Sequence, residues 1–295
     1  MTDVSAPSAV APFRSEIKPT WCPGCGDFGV LNALQTALAH LGIPPKDLVV
    51  VTGIGCSSNL AGFIHGYGMH TLHGRGVAVA QGVKLGNHGL TVVAAGGDGD
   101  GYGIGVGHLI HAIRRNINMT YIVMNNQIYG LTTGQTSPTT ARLQVSKSTP
   151  TGNLENALNP LGLALMSGAT FVARGFSGDP AGLADVITQA IAHKGFSHVD
   201  VLSPCVTYNK MNTYSWFRER VYRLADKGHD PHHFEAALKV SMDWDQRIAT
   251  GVLYETDRPT YEEADPSLSR FGPLALQKKL GFNDDDWTSV LQEFI

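Results

Sequence analysis

The chain has 295 residues, 43% hydrophobic and 16% charged, with 34 glycines, a composition that excludes a disordered chain and fits a globular, loop-rich enzyme. A formal net charge of -3 points away from nucleic acid and from anionic membrane surfaces. No uninterrupted apolar run reaches the roughly 18 residues needed to span a bilayer. The length allows one large α/β domain or two small ones.

Residues 1–19 carry Pro7, Pro12 and Pro19 but no basic stretch followed by an apolar core. They read as a flexible or draping arm rather than an export signal, which makes the cytoplasm the default location. Directly after the arm stands Cys22-Pro23-Gly24-Cys25, a Cys-x-x-Cys pair. Alternating patterns follow in chain order. A helical pattern over Gly29–Leu41 leads to an apolar, β-rich run at Leu48–Thr52, which ends in Gly53-Ile54-Gly55-Cys56-Ser57. A helix over Val77–Asn87 precedes a strand at Thr91–Ala95 and the glycine-rich turn Gly96-Gly97-Asp98-Gly99-Asp100-Gly101. A helix at Ile104–Arg115 leads to a strand at Thr120–Met124 and then Asn125-Asn126. Helical patterns at Leu154–Leu165 and Ala181–His193 flank a strand at Thr170–Ala173, and His198–Leu202 gives the last strand before Ser203-Pro204-Cys205.

Buried strands separated by helices predict βαβ units and an α/β fold with a mostly parallel sheet flanked by helices. The binding domain is expected over residues 20–210. Residues 211–295, with Trp216, Trp244 and Trp287, are expected as a C-terminal extension packed against that domain or a partner. Ligands of open α/β sheets sit outside the carboxyl ends of the strands, so the glycine and asparagine turns are candidate site loops on one edge.

The turn after the second of these strands lets the backbone approach a phosphate, and the helix that follows offers free N–H groups. Magnesium bridging a diphosphate requires hard oxygen ligands. Asp98 supplies a carboxylate, Asn126 an amide oxygen and Ile128 a backbone carbonyl. A lone Gly-Asp-Gly is usually a turn. Followed at this distance by Asn-Asn, across one βαβ unit, it is the thiamine diphosphate signature.

The four cysteines Cys22, Cys25, Cys56 and Cys205 suit metal or redox chemistry in a reducing compartment. Cys56 and Cys205 both follow strands at the expected cofactor edge. Four thiolates satisfy either tetrahedral zinc or a 4Fe–4S cluster, and spacing does not separate the two.

Trp21-Cys22-Pro23-Gly24-Cys25-Gly26, Gly53-Ile54-Gly55-Cys56-Ser57, His73-Gly74-Arg75, Gly97-Asp98-Gly99-Asp100, Asn125-Asn126 and the stretch from Tyr129 through Thr139 occur in that order. Over roughly residues 17–210 they resemble the β subunit of two-subunit 2-oxoacid:ferredoxin oxidoreductases, most closely the bacterial 2-oxoglutarate type. The resemblance implies the thiamine-diphosphate-binding fold of the diphosphate type and a 4Fe–4S cluster on Cys22, Cys25, Cys56 and Cys205. It also implies magnesium on Asp98, Asn126 and the Ile128 carbonyl. Cofactor contacts are implied at Ile54, Gly55, Cys56, Ser57, His73, Gly97, Gly99, Asp100, Asn125, Gly130, Leu131, Thr132 and Thr133. His73 is the expected catalytic side chain, as proton donor or hydrogen-bond partner. Arg75 is a carboxylate-orienting candidate. His108 and His111 are expected to share a packed or interface helix face, and Met124, Tyr129 and Leu131 to be core. One position departs from some relatives: Asn59 stands where they carry a lysine three residues after the third cysteine.

The implied reaction converts 2-oxoglutarate, coenzyme A and oxidised ferredoxin to succinyl-CoA, carbon dioxide and reduced ferredoxin, and is reversible. An α subunit is expected to supply the aminopyrimidine half of the site, in an α2β2 assembly. The alternatives are a pyruvate or branched-chain 2-oxoacid subunit, a non-oxidative thiamine-dependent decarboxylase subunit with zinc, and a cluster-holding scaffold without catalysis.

Overall fold

The computed structural model describes residues 10–276, 288 and 291–292; Trp287 and the first half of the arm lie outside them. Strands β1 (Leu48–Thr52), β2 (Tyr67–His70), β3 (Thr91–Gly97), β4 (Met119–Asn125), β5 (Phe171–Phe176), β6 (Phe196–Leu202), β7 (Val221–Arg223) and β8 (Ile248–Glu255) form one eight-stranded sheet in the order β2-β1-β3-β4-β6-β5-β8-β7. Pairing is parallel except between β5 and β8. The ten helices of the described residues are α1 (Asp27–His40), α2 (Leu60–Phe63), α3 (Gly76–Gly86), α4 (Val106–Arg115), α5 (Pro160–Met166), α6 (Pro180–Ala192), α7 (Tyr214–Arg218), α8 (Phe234–Ser241), α9 (Tyr261–Ala264) and α10 (Pro266–Phe271). None is long and apolar enough to cross a membrane.

The central strands are buried on both faces, which is why they read as continuous apolar runs. Val50, Val93, Ile122, Met124 and Val199 pack under Val30, Leu34 and Leu38 of α1 and Ile187 of α6. On the opposite face Val51, Ala94, Tyr121 and Val172 meet Ala80 of α3, Leu109 and Ile113 of α4, and Leu161 of α5. Beyond residue 210, in the stretch expected as an extension, β7 and β8 lengthen the same sheet.

Two elements differ from expectation. The helix expected over Leu154–Leu165 starts only at Pro160, because Asn159 caps it by accepting from the Gly162 N–H at 3.0 Å and Pro160 occupies its first position. The helix expected from Ile104 begins at Val106, and the residues before it, Gly99–Ile104, form a π-helical turn with a kink at Gly103. In residues 10–19, Phe13 is buried, and its carbonyl accepts from His65 N–H at 2.9 Å and Gln35 Nε2 at 3.0 Å.

Parallel register sets the level of the strand ends. Thr52 stands beside Ala95, Gly97 beside Met124 and Asn125 beside Leu202, so the turns after β1, β3, β4 and β6 converge on one edge. The opposite edge is tied by Asn116, which closes α4 with a φ of 54°. Its Nδ2 donates to the Arg258 and Pro259 carbonyls at 3.0 and 3.2 Å, and its Oδ1 accepts from Phe196 N–H at 2.9 Å and Thr170 Oγ1 at 2.8 Å. Asn116→Ala strands these buried groups and places alanine in the left-handed region, so it should cost about 3 kcal/mol. Chaotrope unfolding measures this, and a loss below about 0.5 kcal/mol would show that the C-terminal segment is held some other way.

Candidate active-site cleft

The carboxyl edge of β1, β3 and β4 opens into a cleft lined by Ile54, Gly55, Cys56, Ser57, His73, Gly97, Asp98, Gly99, Asp100, Asn126, Ile128, Tyr129, Gly130, Leu131 and Thr132. Larger clefts occur elsewhere, one of them bordered by Asp179, Arg223 and His229, but it gathers none of the motif residues.

Asp98 begins the π-helical turn after β3 and is 1% exposed. Ser137 Oγ at 2.5 Å and Thr139 Oγ1 at 2.6 Å donate to its Oδ2. Burial pushes its carboxyl up to about 6 against these hydrogen bonds, the mark of a charge short of compensation. Asn126 follows β4, its Oδ1 accepting from the Ile128 N–H at 3.0 Å. The turn this bond closes brings the Asn126 side chain and Ile128 to the cleft beside Asp98. Carboxylate, amide and carbonyl together form a hard oxygen set that fits magnesium.

Asp100, 4% exposed, holds the other wall. Its Oδ1 accepts from Ile54 N–H at 2.9 Å and Gly74 N–H at 2.7 Å, clamping the β1 turn to the His73 loop. Burial raises its carboxyl pKa while these two donors pull it back down. Gly53 is glycine because a Cβ there would run into the Asp100 carboxylate, and Gly99 because a Cβ would strike the Tyr129 ring. His73 stands half-buried in the cleft with its Nδ1 3.8 Å from Asp100 Oδ1 and no hydrogen-bond partner for that nitrogen.

The four cysteines arrive on three segments. Gly26 N–H donates to the Pro204 carbonyl at 3.1 Å, and a Cβ on Gly26 would collide with Ser203, so the Cys22–Cys25 turn lies directly against the Cys205 segment. Trp21 Nε1 donates to the Cys56 carbonyl at 2.7 Å, fixing the third cysteine to the same turn. A Cβ on Gly130 would stand 3.6 Å from Cys56 Sγ and 3.8 Å from Cys205 Sγ. Burial, then the Asp27 carboxylate, pushes the Cys56 thiol up to about 11 and Cys25 further still; Cys205 and Cys22 add to the first, Cys205 and Cys56 to the second. Such thiols are poor nucleophiles. They become thiolates when a metal group supplies positive charge. Among the described residues no three or more His, Cys, Asp or Glu side chains are arranged to hold one metal ion. All four cysteines are free.

Several expected contacts stand elsewhere. Asn125 is turned away from the cleft and 3% exposed: its Nδ2 donates to Asp200 Oδ1 at 3.0 Å, and its Oδ1 lies 2.9 Å from Thr139 Oγ1. Thr133 lies outside the lining, with its hydroxyl accepting from Lys147 Nζ at 2.8 Å. Tyr129 and Leu131, expected in the core, face the cleft instead, whereas Met124 is core as expected. Arg75 Nη1 donates to the Ile104 carbonyl at 3.4 Å and meets His108 Nε2 at 3.2 Å; His111, one turn on, is exposed. Asn59 borders a separate hollow with Thr20 and His70. Sequence reasoning missed the roles of Ser137 and Thr139, and those of Asp27, Tyr102 and Asp200; the first two lie inside a motif stretch, the others are polar residues in apolar surroundings.

Residues 53–201 match the family of C-terminal thiamine pyrophosphate binding domains of thiamine pyrophosphate enzymes, and residues 205–270 match the C-terminal region of the pyruvate ferredoxin oxidoreductase β subunit. The β subunit of 2-oxoacid:ferredoxin oxidoreductase 1 of Aeropyrum pernix is 47% identical, over 92% of this chain and 90% of its own. The KorB subunit of the Mycobacterium tuberculosis 2-oxoglutarate oxidoreductase is 45% identical over 67% of this chain and 53% of its own. A solved 2-oxoglutarate:ferredoxin oxidoreductase from Magnetococcus marinus, with 2-oxoglutarate, coenzyme A and succinyl-CoA bound, superposes with a TM-score of 0.87 at 42% identity, covering 94% of both chains. The sheet with its convergent carboxyl-edge turns, the Asp98 cleft and these likenesses lead to one conclusion: the chain belongs to the β subunits of the thiamine-dependent 2-oxoacid:ferredoxin oxidoreductases.

Proposed function

We propose that this chain carries the diphosphate half of an active site that converts 2-oxoglutarate, coenzyme A and oxidised ferredoxin to succinyl-CoA, carbon dioxide and reduced ferredoxin. The observation that carries the reading is the position of Gly130, which lines the cleft and lies against the Cys56 and Cys205 sulfurs. A carbanion-forming cofactor in the cleft and an electron acceptor on the cysteines are thereby neighbours. The preference for 2-oxoglutarate rests on relatives and a solved structure that carry that substrate in their names.

Asp98, Asn126 and the Ile128 carbonyl hold magnesium, and the turns at Ile54–Ser57 and Gly97–Gly99 receive the diphosphate. Thiamine diphosphate supplies the nucleophilic carbon that cleaves the 2-oxoacid, and a 4Fe–4S cluster on Cys22, Cys25, Cys56 and Cys205 supplies the one-electron outlet. His73 offers its ring to the reacting end, where its position in the cleft suits a proton donor. Asp100 keeps His73 and Ile54 at fixed separation. Tyr129 donates its hydroxyl proton to the Gly99 carbonyl at 3.0 Å and closes the cleft wall. An α subunit supplies the aminopyrimidine half in an α2β2 complex, where Leu72, Ile104 and Leu131, all more than half exposed, offer an apolar surface.

Four measurements test the reading. Anaerobically purified complex should contain about four iron and four acid-labile sulfide per β chain; zinc without iron would replace this reading with a non-oxidative decarboxylase. Cys56→Ser should then lose ferredoxin reduction, and full reduction by that variant would remove the cluster assignment. Asp98→Ala should abolish retention of thiamine diphosphate, read by cofactor content after gel filtration, because the metal loses its only carboxylate ligand. Rates with 2-oxoglutarate should exceed those with pyruvate and branched 2-oxoacids; equal or reversed rates would transfer the substrate assignment to one of those.

A further inference from the structure

An aspartate in the middle of a parallel strand, with no exposed surface, calls for a reason, because an ionised carboxylate loses several kcal/mol of hydration there. Asp200 is such a residue: it lies in β6, 0% exposed, beside Val123 of β4 and Arg174 of β5. Its Oδ2 accepts from Arg174 Nε at 3.3 Å. An ion pair that only stabilised the sheet would need nothing more. Its other oxygen is engaged differently: Oδ1 accepts from Tyr102 Oη at 2.9 Å and from Asn125 Nδ2 at 3.0 Å.

Those two donors come from the two halves of the metal–diphosphate motif. Tyr102 sits in the π-helical turn that begins immediately after Asp98, and Asn125 immediately precedes Asn126. The far side of Asn125 returns to the metal site, since its Oδ1 lies 2.9 Å from Thr139 Oγ1, which donates to Asp98 Oδ2 at 2.6 Å. One oxygen of Asp200 thus gathers Tyr102 of the Asp98 turn and Asn125 of the Asn126 turn, and Asn125 lies within reach of the Thr139 hydroxyl that serves Asp98. His198 Nε2, 3.0 Å from Tyr102 Oη, donates to that oxygen, since the hydroxyl proton is directed at Asp200.

We propose that Asp200 is a positioning residue for the metal site: one buried carboxylate oxygen sets the spacing between the Asp98 turn and the Asn126 turn, and so tunes magnesium affinity without touching the ion. The inference rests on the reading of Asp98 and Asn126 as metal ligands. Groups that orient metal ligands from behind commonly change affinity by about 10–100-fold when removed.

The test is a calorimetric titration of thiamine diphosphate into the complete α–β complex, freed of cofactor, over a range of Mg2+ concentrations. Tyr102→Phe and Asp200→Asn should each raise the Mg2+ concentration for half-maximal cofactor binding by about tenfold. Val201→Ala, a cavity variant in the same strand whose side chain packs on the opposite face, should lower the melting temperature and leave the Mg2+ dependence in place. An equal shift in Val201→Ala would overturn the proposal, because general loosening would then suffice. Asp98→Asn in the same series separates the two ideas. Unchanged Mg2+ dependence there removes the metal reading and the tether with it. Loss of binding there, with Tyr102→Phe and Asp200→Asn titrating as wild type, removes the tether alone. Where Asp200→Asn gives no folded complex, Tyr102→Phe, which deletes a single oxygen, decides the question.

Discussion

The carboxylates of Asp27, Asp98, Asp100 and Asp200 are withdrawn from water at and beneath the carboxyl edge of the sheet. Each accepts hydrogen bonds from elsewhere in the chain: from Ser203 for Asp27, Ser137 and Thr139 for Asp98, Ile54 and Gly74 for Asp100, and Tyr102 and Asn125 for Asp200. A buried carboxylate without such donors would protonate or force the fold open. The loops that donate are consequently not free to wander. The cleft owes its shape less to packing than to the need to solvate acids with protein groups.

This need also explains why the cleft sits where it does. Parallel pairing brings the ends of β1, β3, β4 and β6 to one level, and the amides freed at strand ends and turns are the natural donors for buried acids. The same unpaired amides suit a diphosphate. In the proposed function, magnesium would add the positive charge that Asp98 lacks, so that cofactor binding and relief of a buried acid would be one event. Apolar side chains exposed at the mouth, Leu72 and Ile104 among them, suit a surface completed by another subunit.

Much of this architecture was legible in the sequence. Strands buried on both faces announce themselves as apolar runs, and β1, β3, β4, β5 and β6 fall where those runs do. β2 did not show: its four residues Tyr67-Gly68-Met69-His70 are all exposed on the sheet edge and carry neither an apolar run nor an alternation. The gathering of Asp98, Asn126, Ile128 and Cys56 at one carboxyl edge was legible too, because they stand in ordered motifs. Orientation was not. Asn125 and Asn126 are identical letters, yet one ends a strand facing inward and the next turns to the cleft, since successive side chains alternate. Asp100 reads like Asp98 but serves the backbone of Ile54 and Gly74. Asp200 and Tyr102 were silent because their partners lie far away in the chain, at separations no local pattern encodes.

The tether of Trp21 to the Cys56 carbonyl and the contact of Gly26 with Pro204 bear on how the molecule comes into being. Cys22 and Cys25 precede the first strand, and Cys205 follows β6. Contacts that span most of a domain form late in folding, after the closure entropy of the intervening chain has been overcome. A nascent chain without β6 presents three of the four sulfurs at most. A group bound by all four thiols, as proposed above, would therefore meet its full set of ligands only once β6 and the Cys205 segment are in place.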